Sequence, residues 1–526
     1  MVTAAAVLLA ATFTRTMERV ATMDPAMATT VYDSHAVQLV YEPPLEIDYT
    51  ARPYKLVPGF CELPEVSADG LRYVFKVRAK AKGQDEQRKI DILCSPSPCD
   101  LVSTDLVRSL ERLRDPKVVS PNGWIVKDVD TVKALDARTV EIRLKRRCHF
   151  FPWLMAMSAC GVRGPNGEGS GPYELAHWRK NHEMIFERRS KAKVQGEQGD
   201  GNIHCSPSSR TFASFDEVKY LVVDDASTQW LMFLKGELDF LGEISRDNFD
   251  SVVDADGRLD PVLERQGVKL HSIPTMEVLH IGINMRDPVL GPNRKLRQAL
   301  NAAFDYPAWE KFYNGRIVPC PTPVPPGVDG RLEKPFAYAF DLEKAKRLMA
   351  EAGYPDGIDP KTGRRLVLKM SIGRASQESR EAGELTAAFY ERIGIRLELD
   401  FKTWTAFVEA VNEGRVQLFR MGWVGDYPDA QNFLQLFYSK NVNPGPNHAS
   451  YENPAFDREY EAALDAKTAE ERAVRWAKCQ EIVQEDCPWV FTHVNKAYSL
   501  VRPTVGNYVP SDFPYGHEKH YRSAMK

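Results

Sequence analysis

The feature that most constrains the fold is an alternation of strand-like and helix-like segments in the second half of the chain. Apolar residues recur with period two over residues 366–372 and again over residues 395–401, as in half-buried strands. A helical segment ends between them at Gly394, and a shorter one ends at Gly414 before a third strand-like run, residues 416–423. This order predicts a β-α-β-α-β run, and therefore a sheet with helices packed on it.

The third strand-like run is followed by a carboxylate between two aromatic residues. The stretch MGWVGDYPDAQNF places Asp426 between Trp423 and Tyr427, at the carboxyl end of the predicted strand. Ligands gather at this edge of open α/β sheets, and acids are rarely buried without a partner. Asp426 therefore either caps a turn or receives a positively charged group.

Length and charge limit the remaining possibilities. At 526 residues the chain is too long for one hydrophobic core, so two or more domains are expected. The net charge of -3 gives no electrostatic argument for binding nucleic acid or an anionic membrane surface. The sequence has no run of about eighteen apolar residues, so it predicts no membrane-spanning helix.

The N-terminus allows two interpretations. The apolar run from Ala4 to Ala11 has about the length of a signal-peptide core, but the first positive residue, Arg15, follows it instead of preceding it. The run is either a weak or truncated export signal or the lead into a first strand.

The cysteine content does not indicate a disulfide scaffold. There are nine cysteines, an odd number, so at least one thiol lies outside any intramolecular bridge. The nearest pairs, Cys94 with Cys99 and Cys479 with Cys487, lack the two-residue spacing of a zinc knuckle. We expect buried thiols, with one or two bridges at most.

Further patterns predict elements elsewhere in the chain. Alternation predicts strands over residues 72–77 and 139–144. Ser103 is a candidate cap for a helix that extends to Leu113. Helix boundaries are also predicted at Asp225, Gly236, Asn293, Asp341 and Gly353, and loops over residues 188–209 and 319–330.

The sequence contains none of the common catalytic or cofactor motifs. A GxSxG elbow, a phosphate-binding P-loop, an HExxH helix and a strand followed by GxGxxG are all missing. His517 and His520 are three residues apart without a companion acid at helical spacing, so we interpret them as surface or hydrogen-bonded histidines. No cofactor or metal site is expected, and nothing favours an enzyme.

Eight segments, in the same order, resemble the peptide- and nickel-binding group, family 5, of extracytoplasmic solute-binding proteins, which serve ABC importers. The resemblance runs from about Met23 to the C-terminus. The segments are LVYEPPLE (Leu39 to Glu46), VPGFCELPEVSADGLRYVFKVR (Val57 to Arg78), DLVRSLERLRDP (Asp105 to Pro116), GSGPYEL (Gly169 to Leu175), FLKGELDF (Phe233 to Phe240), KLRQALNAAFD (Lys295 to Asp305), AKRLMAEAGYPDG (Ala345 to Gly357) and GWVGDYPDAQNFL.

The resemblance implies an α/β, two-lobed periplasmic-binding-protein fold that closes like a flytrap, with an extra domain inserted in the first lobe. On that pattern residues 1–46, 169–272 and 491–526 form the first lobe. Residues 47–168 form the inserted domain and residues 273–490 the second lobe.

The resemblance also implies roles for Asp426 and for residues near it in the fold. Peptide-binding members hold the free α-amino group of the peptide with the aspartate that matches Asp426. Trp404 and Trp423 match aromatic residues that line the cleft, and Tyr427, directly after Asp426, is also expected to contact the ligand. Arg420 matches a basic position that lies near a peptide carboxylate in some relatives. The alternatives are that Trp423 is a core residue and that Arg420 is a solvent-facing one.

The implied function is binding of short peptides, by α-amino group and backbone, and delivery to the permease subunits of an ABC transporter. The implied location is periplasmic or extracytoplasmic, peripheral to the membrane, and we expect a monomer with no nucleic-acid partner. The alternative keeps the fold and changes the ligand to an oligosaccharide or a nickel chelate. An enzyme built on the same fold is a third hypothesis, which would require a nucleophile or paired carboxylates in the cleft.

The sequence departs from the family pattern at several points. Asp429 is followed by Ala430 instead of proline, and Val102 stands near the position of the usual capping threonine. Residues 94–99 and 188–209 replace shorter family segments. Because the inserted domain bounds the ligand pocket, these departures leave ligand length and side-chain preference open.

Overall fold

The computed structural model describes two compact units. One comprises Met1–Ile273 with Ala497–Lys526, and the other Pro274–Lys496. The predicted three-way division, with residues 47–168 as an inserted domain, stays a prediction. The described residues are 11–78, 101–189, 212–244, 246–254, 257–443, 445–511, 513 and 515–524.

The α-helices are numbered in chain order. They are α1 (Val31–Val40), α2 (Ser103–Arg112), α3 (Phe151–Leu154), α4 (Ala226–Lys235), α5 (Arg246–Val252), α6 (Pro261–Arg265), α7 (Arg294–Ala302), α8 (Tyr306–Phe312), α9 (Leu342–Glu351), α10 (Gln377–Glu391), α11 (Trp404–Asn412), α12 (Ala430–Leu434), α13 (Pro454–Asp465) and α14 (Ala469–Asp486).

The strands are numbered in the same way. They are β1 (Thr12–Met17), β2 (Leu45–Asp48), β3 (Lys55–Pro58), β4 (Glu65–Val66), β5 (Arg72–Lys76), β6 (Val129–Asp136), β7 (Thr139–Leu144), β8 (Tyr173–Arg179), β9 (Glu183–Arg188), β10 (Phe212–Ser214), β11 (Glu217–Val222), β12 (Phe240–Leu241), β13 (Lys269–Pro274), β14 (Glu277–Ile283), β15 (Ile317–Pro319), β16 (Ile358–Asp359), β17 (Arg364–Arg365), β18 (Val367–Ile372), β19 (Arg396–Phe401), β20 (Leu418–Val424), β21 (Trp489–Val501), β22 (Val505–Gly506) and β23 (Arg522–Ala524).

The first unit is built around a mixed sheet. Its strand order is β8-β9-β11-β1-β12, in which β1 and β11 are parallel and residues 500–501 of β21 pair with β12. A separate antiparallel sheet, β4-β5-β7-β6, includes the two strands predicted from residues 72–77 and 139–144. Phe13, Phe186 and Val218 lie in the core that the mixed sheet shares with α1.

The second unit contains the predicted β-α-β-α-β run. Strand β18 lies between β19 and β20 and is parallel to both, while α10 and α11 make the connections. Strand β14 pairs antiparallel with β20, and residues 489–493 of β21 pair with β14. Leu368, Met370 and Ile372 are buried in the core of this unit, as their period-two spacing predicted.

Several helix boundaries confirm the sequence patterns, and one prediction is wrong. Asp225 caps α4 and Gly236 ends it with a left-handed conformation. Ser103, however, is already the first helical residue of α2, and its hydroxyl donates to the carbonyl of Asp136 instead of capping. The carboxylate of Asp105 accepts the free N–H of Val102 at 2.9 Å, so the N-terminal hydrogen bond comes from inside the helix.

The described cysteines are buried. Cys479 and Cys487, one of the two nearest pairs in the sequence, are free thiols and form no bridge. Burial raises the pKa of the Cys487 thiol well above its ordinary value, as expected for a small apolar core residue. The other described cysteines are Cys61, Cys148, Cys160 and Cys320. Cys94, Cys99 and Cys205 lie outside the described residues.

The remaining expectations concern loops and termini. Residues 320–330 follow β15 and contain no helix or strand, as their prolines predicted. The first residues of the two predicted loops, Pro319 and Arg188, are instead the last residues of β15 and β9. Residues 190–209 and the apolar run from Ala4 to Ala10 lie outside the described residues. Among the described helices, none has the length and apolar content to cross a membrane.

Candidate functional site

Asp426 lies in the turn between the end of β20 and the start of α12. Gly425 follows the last residue of β20, and its N–H donates to the carbonyl of Met276 at 2.8 Å. A Cβ on Gly425 would lie 2.8 Å from the ring of Phe433 and 3.0 Å from Cε of Met276. Glycine is therefore required for the close approach that turns the chain toward α12.

Asp426 and Trp423 are joined by one buried amide, that of Asn432 in α12. The indole N–H of Trp423 and the backbone N–H of Asp426 both donate to Oδ1 of Asn432, at 3.0 and 3.1 Å. The amide Nδ2 of Asn432 in turn donates to Oδ2 of Asp426 at 3.0 Å. Two residues predicted for the site therefore form one hydrogen-bonded group with a residue that the sequence analysis did not select.

The charge of Asp426 has no counter-ion in the described part of the chain. Burial raises the pKa of this carboxyl above its ordinary value, and the hydrogen bond from Asn432 lowers it only in part. Among the described residues, none forms an ion pair with Asp426 or donates a hydrogen bond to its Oδ1. The ionised form would thus gain from a cation that the described chain does not supply.

The helix cap belongs to a different aspartate. Asp429 is the N-cap of α12, and its carboxylate accepts the N–H of Gln431 at 2.9 Å. Asp426 accepts its hydrogen bond from the side-chain amide of Asn432 in the first turn of α12, not from a backbone N–H of that turn. The N-cap of α12 is therefore Asp429, and the two interpretations of Asp426, as a turn cap or as the partner of a cation, both stay predictions.

Tyr427 is buried beneath this group. Only 3% of the residue is exposed, and its hydroxyl donates to Oε1 of Gln431. The amide of Gln431 donates onward to the hydroxyl of Tyr460 at 2.7 Å. The ring of Tyr427 thus packs in the core of the second unit, and its predicted contact with a ligand stays a prediction.

Trp404 is the exposed aromatic residue of the site. It begins α11 with 61% of its surface exposed and lies 5.6 Å from the ring of Phe407, measured between ring centroids. A Cβ on Gly373 would come within 2.9 Å of the indole, so Trp404 covers the chain just after β18. An exposed, supported indole of this kind presents a flat face on which a ligand can pack.

Arg420 points to the other face of β20. Its neighbour Phe419 packs with residues of α11, and successive strand residues face opposite sides of a sheet. The guanidinium of Arg420 donates to the hydroxyl of Tyr313 at 2.6 Å and lies 5.5 Å from the ring centroid of Trp309. Among the described residues, no carboxylate forms an ion pair with Arg420.

A buried histidine completes the surroundings of Arg420. Burial, together with the positive charge of Arg420, lowers the pKa of His493 to about 3, so this histidine is neutral at physiological pH. Its Nδ1 accepts the indole N–H of Trp309 at 3.1 Å. Of His493 and Arg420, Arg420 is therefore the one that carries a positive charge.

The structure therefore separates the predicted site residues into two sets. Asp426 and Trp423 are linked through Asn432, and Trp404 lies at the α11 face that Phe419 also contacts. Arg420 belongs to the α8 side. The described residues contain no group of three or more histidine, cysteine, aspartate or glutamate side chains placed to hold a metal ion.

Asn432 could have been found from the sequence, but the partners of Arg420 could not. Asn432 follows Asp426 by only six residues, so a single turn of the chain can bring the two side chains together. Tyr313 and His493 come from segments more than seventy residues away, and no local pattern connects them with β20.

Residues 55–445 match the family model described as bacterial extracellular solute-binding proteins, family 5 Middle. The chain belongs to this family. The predicted fold class is confirmed, since members of family 5 share the two-lobed α/β fold. They are periplasmic binding proteins that serve transport and are not enzymes.

Individual family 5 proteins are similar over most of the chain. The sequence is 30% identical over 495 residues to heme-binding protein A of Haemophilus influenzae, covering 87% of this chain and 82% of that protein. It is 22% identical over 516 residues to the dipeptide-binding protein of Escherichia coli, covering 91% and 88%. The structure of HbpA2 from Haemophilus parasuis superposes with a TM-score of 0.79 at 22% identity, covering 98% of this chain and 100% of that one.

Proposed function

We propose that this family 5 protein binds short peptides by their free α-amino group and main chain, and delivers them to the permease subunits of an ABC transporter. The observation that carries the proposal is the carboxylate of Asp426. It is largely removed from water, fixed by Asn432 beside Trp423, and without a cationic partner among the described residues. The ammonium group of a peptide would supply that partner.

The energy of such a pair sets the expected effect. Removing one member of a buried ion pair costs about 3–5 kcal/mol because the remaining charge is left unpaired. That cost corresponds to a loss of affinity on the order of a hundred- to several-thousandfold. Asp426 would therefore decide whether a peptide binds at all, whereas contacts with its side chains would adjust affinity.

The other predicted residues would serve less specific contacts. Trp404 presents an exposed indole that can pack on side chains of different shape. Arg420 has no carboxylate partner in the described part of the chain. Its guanidinium would donate to the carboxylate of a peptide that reaches the α8 side of β20. Main-chain hydrogen bonds would hold the peptide as an added strand without regard to its sequence.

The proposal includes a monomer that acts in the periplasm or another extracytoplasmic space and carries out no catalysis. The dipeptide-binding relative supports a peptide ligand. The exposed indole of Trp404 would also stack on a sugar ring, a nickel chelate or, as the name of the 30% identical relative suggests, a haem. These ligands lack the combination of a free α-amino group and a peptide main chain, and an experiment can separate them.

The test is a thermal-shift comparison on protein that has been unfolded and refolded to remove co-purified ligand. A ligand at about a hundred times its Kd adds about 2.7 kcal/mol to stability, which is a measurable shift. Di-, tri- and pentapeptides with a free amino group are expected to raise Tm, whereas the same peptides after N-acetylation are not.

Two variants make the comparison specific. Asp426→Asn is expected to abolish the shift by free peptides, and Asp359→Asn, in the β16–β17 hairpin of the same unit, is expected to leave it unchanged. Equal shifts with free and acetylated peptides would contradict the amino-group site. A shift only with oligosaccharides, nickel chelates or haem would move the assignment to that ligand.

A further inference from the structure

Asn432 occupies a position at which every polar atom of its amide is used. The residue is completely buried in α12. Its Oδ1 accepts the indole N–H of Trp423 and the backbone N–H of Asp426, and its Nδ2 donates to Oδ2 of Asp426. The reversed amide would face two N–H donors with its own NH₂ group, so the hydrogen-bond network allows one orientation.

These hydrogen bonds restrict Asp426 on two sides. The hydrogen bond from the backbone N–H of Asp426 to Oδ1 of Asn432 fixes the main chain at Asp426. The hydrogen bond from Nδ2 of Asn432 holds Oδ2, one of the two carboxylate oxygens. Within the described residues, the other oxygen, Oδ1, accepts no hydrogen bond. The same amide also fixes the indole of Trp423, so the acid and the aromatic ring cannot rotate independently.

We propose that Asn432 is the positioning residue of the amino-group site: it directs the free oxygen of Asp426 toward the ligand and couples the orientation of Trp423 to that of the carboxylate. This inference rests on the proposed function for its ligand. Its structural content, that one amide controls the state of Asp426, can be tested without any ligand.

The chemistry of an amide is specific at this position. Aspartate at 432 would still accept from Trp423 and from the backbone of Asp426, but would face Oδ2 of Asp426 with a second carboxylate oxygen. Two carboxylates at about 3 Å repel, and one of them holds a proton to higher pH. Alanine would remove all three hydrogen bonds. The two substitutions therefore separate the hydrogen bond to the carboxylate from the two hydrogen bonds to Oδ1.

Three ionisable side chains near this strand end, those of Asp429, Tyr427 and Glu277, have partners of their own. Asp429 binds the N–H of Gln431, and the hydroxyl of Tyr427 faces Gln431. Glu277, which pairs in register with Val424, accepts from Thr275 at 2.9 Å and from Asn495 at 2.6 Å. Changes in the titration of Asp426 on substitution of Asn432 are therefore attributable to the lost amide.

The experiment measures the titration of Asp426 in ligand-free, ¹³C-aspartate-labelled protein by NMR, with its carboxyl signal assigned by its absence in Asp426→Asn. Asn432→Ala is expected to move the midpoint upward, because a hydrogen bond that stabilises the charged form is lost. Asn432→Asp is expected to give two coupled midpoints, the higher of which lies above the midpoint of Asp426 in the wild-type protein, because the two carboxylates repel. The indole N–H resonance of Trp423 is expected to shift in the alanine variant and to stay near its original position in the aspartate variant.

A matched control is available in the same unit. Asn447 is also completely buried, and its amide donates to the carbonyls of Tyr438 and Tyr451 and accepts the N–H of Tyr451. Asn447→Ala removes a comparable set of hydrogen bonds without contact to Asp426. It is expected to lower Tm but to leave the titration of Asp426 unchanged.

Binding completes the test, with trialanine and N-acetyl-trialanine as probes. Asn432→Ala is expected to weaken binding of trialanine by about tenfold to a hundredfold, the range for a lost hydrogen bond to a charged group. An unmoved titration midpoint in both Asn432 variants would overturn the inference, whatever their Tm. If the midpoint moves in the Asn432 variants but the wild-type protein binds no peptide, the positioning role is supported and the peptide proposal is overturned.

Discussion

Glu518 in the first unit is completely removed from water and Asp426 in the second unit is largely so, but their surroundings differ. Glu518 is completely buried and lies 2.6 Å from the guanidinium of Arg15 and 3.1 Å from Nδ1 of His35. Burial alone would raise the pKa of Glu518, but His35 and Arg15 hold it well below its ordinary value. The pKa of Asp426 is raised, because no cation in the described chain compensates its burial.

The comparison indicates two uses of a buried carboxylate. Where the chain supplies the cation, as at Glu518, the pair fixes the C-terminal segment to β1 within the first unit. Where the described chain supplies none, as at Asp426, the charge is available to a ligand. Variants that change the pairing of each carboxylate should therefore affect stability in one unit and binding in the other.

The largest effect is expected for Arg15→Ala. The substitution leaves the buried Glu518 without its guanidinium partner, beside His35 and His517, which should lower the free energy of unfolding of the first unit by about 3–5 kcal/mol. Urea unfolding followed by circular dichroism measures the loss. Arg19→Ala is the control, since its pair with Asp224 is exposed on both sides and should contribute less than about 1 kcal/mol. Equal losses in the two variants would remove the distinction between the buried and the exposed pair.

A second buried acid of the first unit predicts a pH dependence. Burial, together with the charge of Glu46, raises the pKa of Glu42 to about 8, although Lys519 and Arg78 act in the opposite direction. The folded state therefore holds a proton that the unfolded chain releases near pH 4.5, and stability should fall as pH rises from there to about 8. Glu42→Gln should flatten this fall, by an amount on the order of a few kcal/mol at pH 8.

Unfolding at pH 6 and pH 8.5 measures this dependence. Glu62→Gln, at an exposed position nearby, is the control and should leave the fall in stability unchanged. A stability that does not change between the two pH values in the wild-type protein would show that Glu42 is ionised in the fold.

The smallest effect is expected for Asp426→Asn in the absence of ligand. Because the folded protein raises the pKa of Asp426, ionisation costs stability above the ordinary pKa of an aspartate, and a neutral amide avoids that cost. Tm of the ligand-free protein should rise by about 1–3 °C at neutral pH, in contrast to the loss expected for Arg15→Ala. A lower Tm would mean that the ionised Asp426 stabilises the fold by itself.

The sequence predicted the framework of the second unit well, because its signals are local. The alternation at Leu368, Met370 and Ile372 and the helix end at Gly394 are properties of a few neighbouring residues, and they predicted parallel strands with connecting helices. The prediction at Ser103 is wrong because it, too, rested on local sequence alone. Local sequence permits either Ser103 or Asp105 to satisfy the helix N-terminus, and contact with Asp136 decides between them.

The ion-pair and hydrogen-bond partners of charged residues could not be predicted from local sequence patterns. Arg15 and Glu518 are 503 residues apart in the chain, and nothing near either residue indicates the other. No acid stands at helical spacing from His520 in the sequence, and its partner in the fold is the distant Glu46 of β2, whose carboxylate lies 3.6 Å from Nε2. At the candidate site, the position of Asp426 at a strand end followed from the sequence, whereas the turn of Arg420 toward Tyr313 required the fold.

The most direct test of the account is the affinity for trialanine measured by calorimetry from pH 4 to pH 9, in the wild-type protein and in Asp426→Asn. Binding of an ammonium requires the ionised carboxylate, so wild-type affinity should rise with pH through the titration of Asp426. It should fall again above about pH 8, where the α-amino group loses its proton. In Asp426→Asn the affinity should be lower by a hundredfold or more, on the order expected for a lost ion-pair partner, without the acidic limb. An unchanged affinity with the same acidic limb in Asp426→Asn would contradict the assignment of Asp426 as the group that binds the peptide.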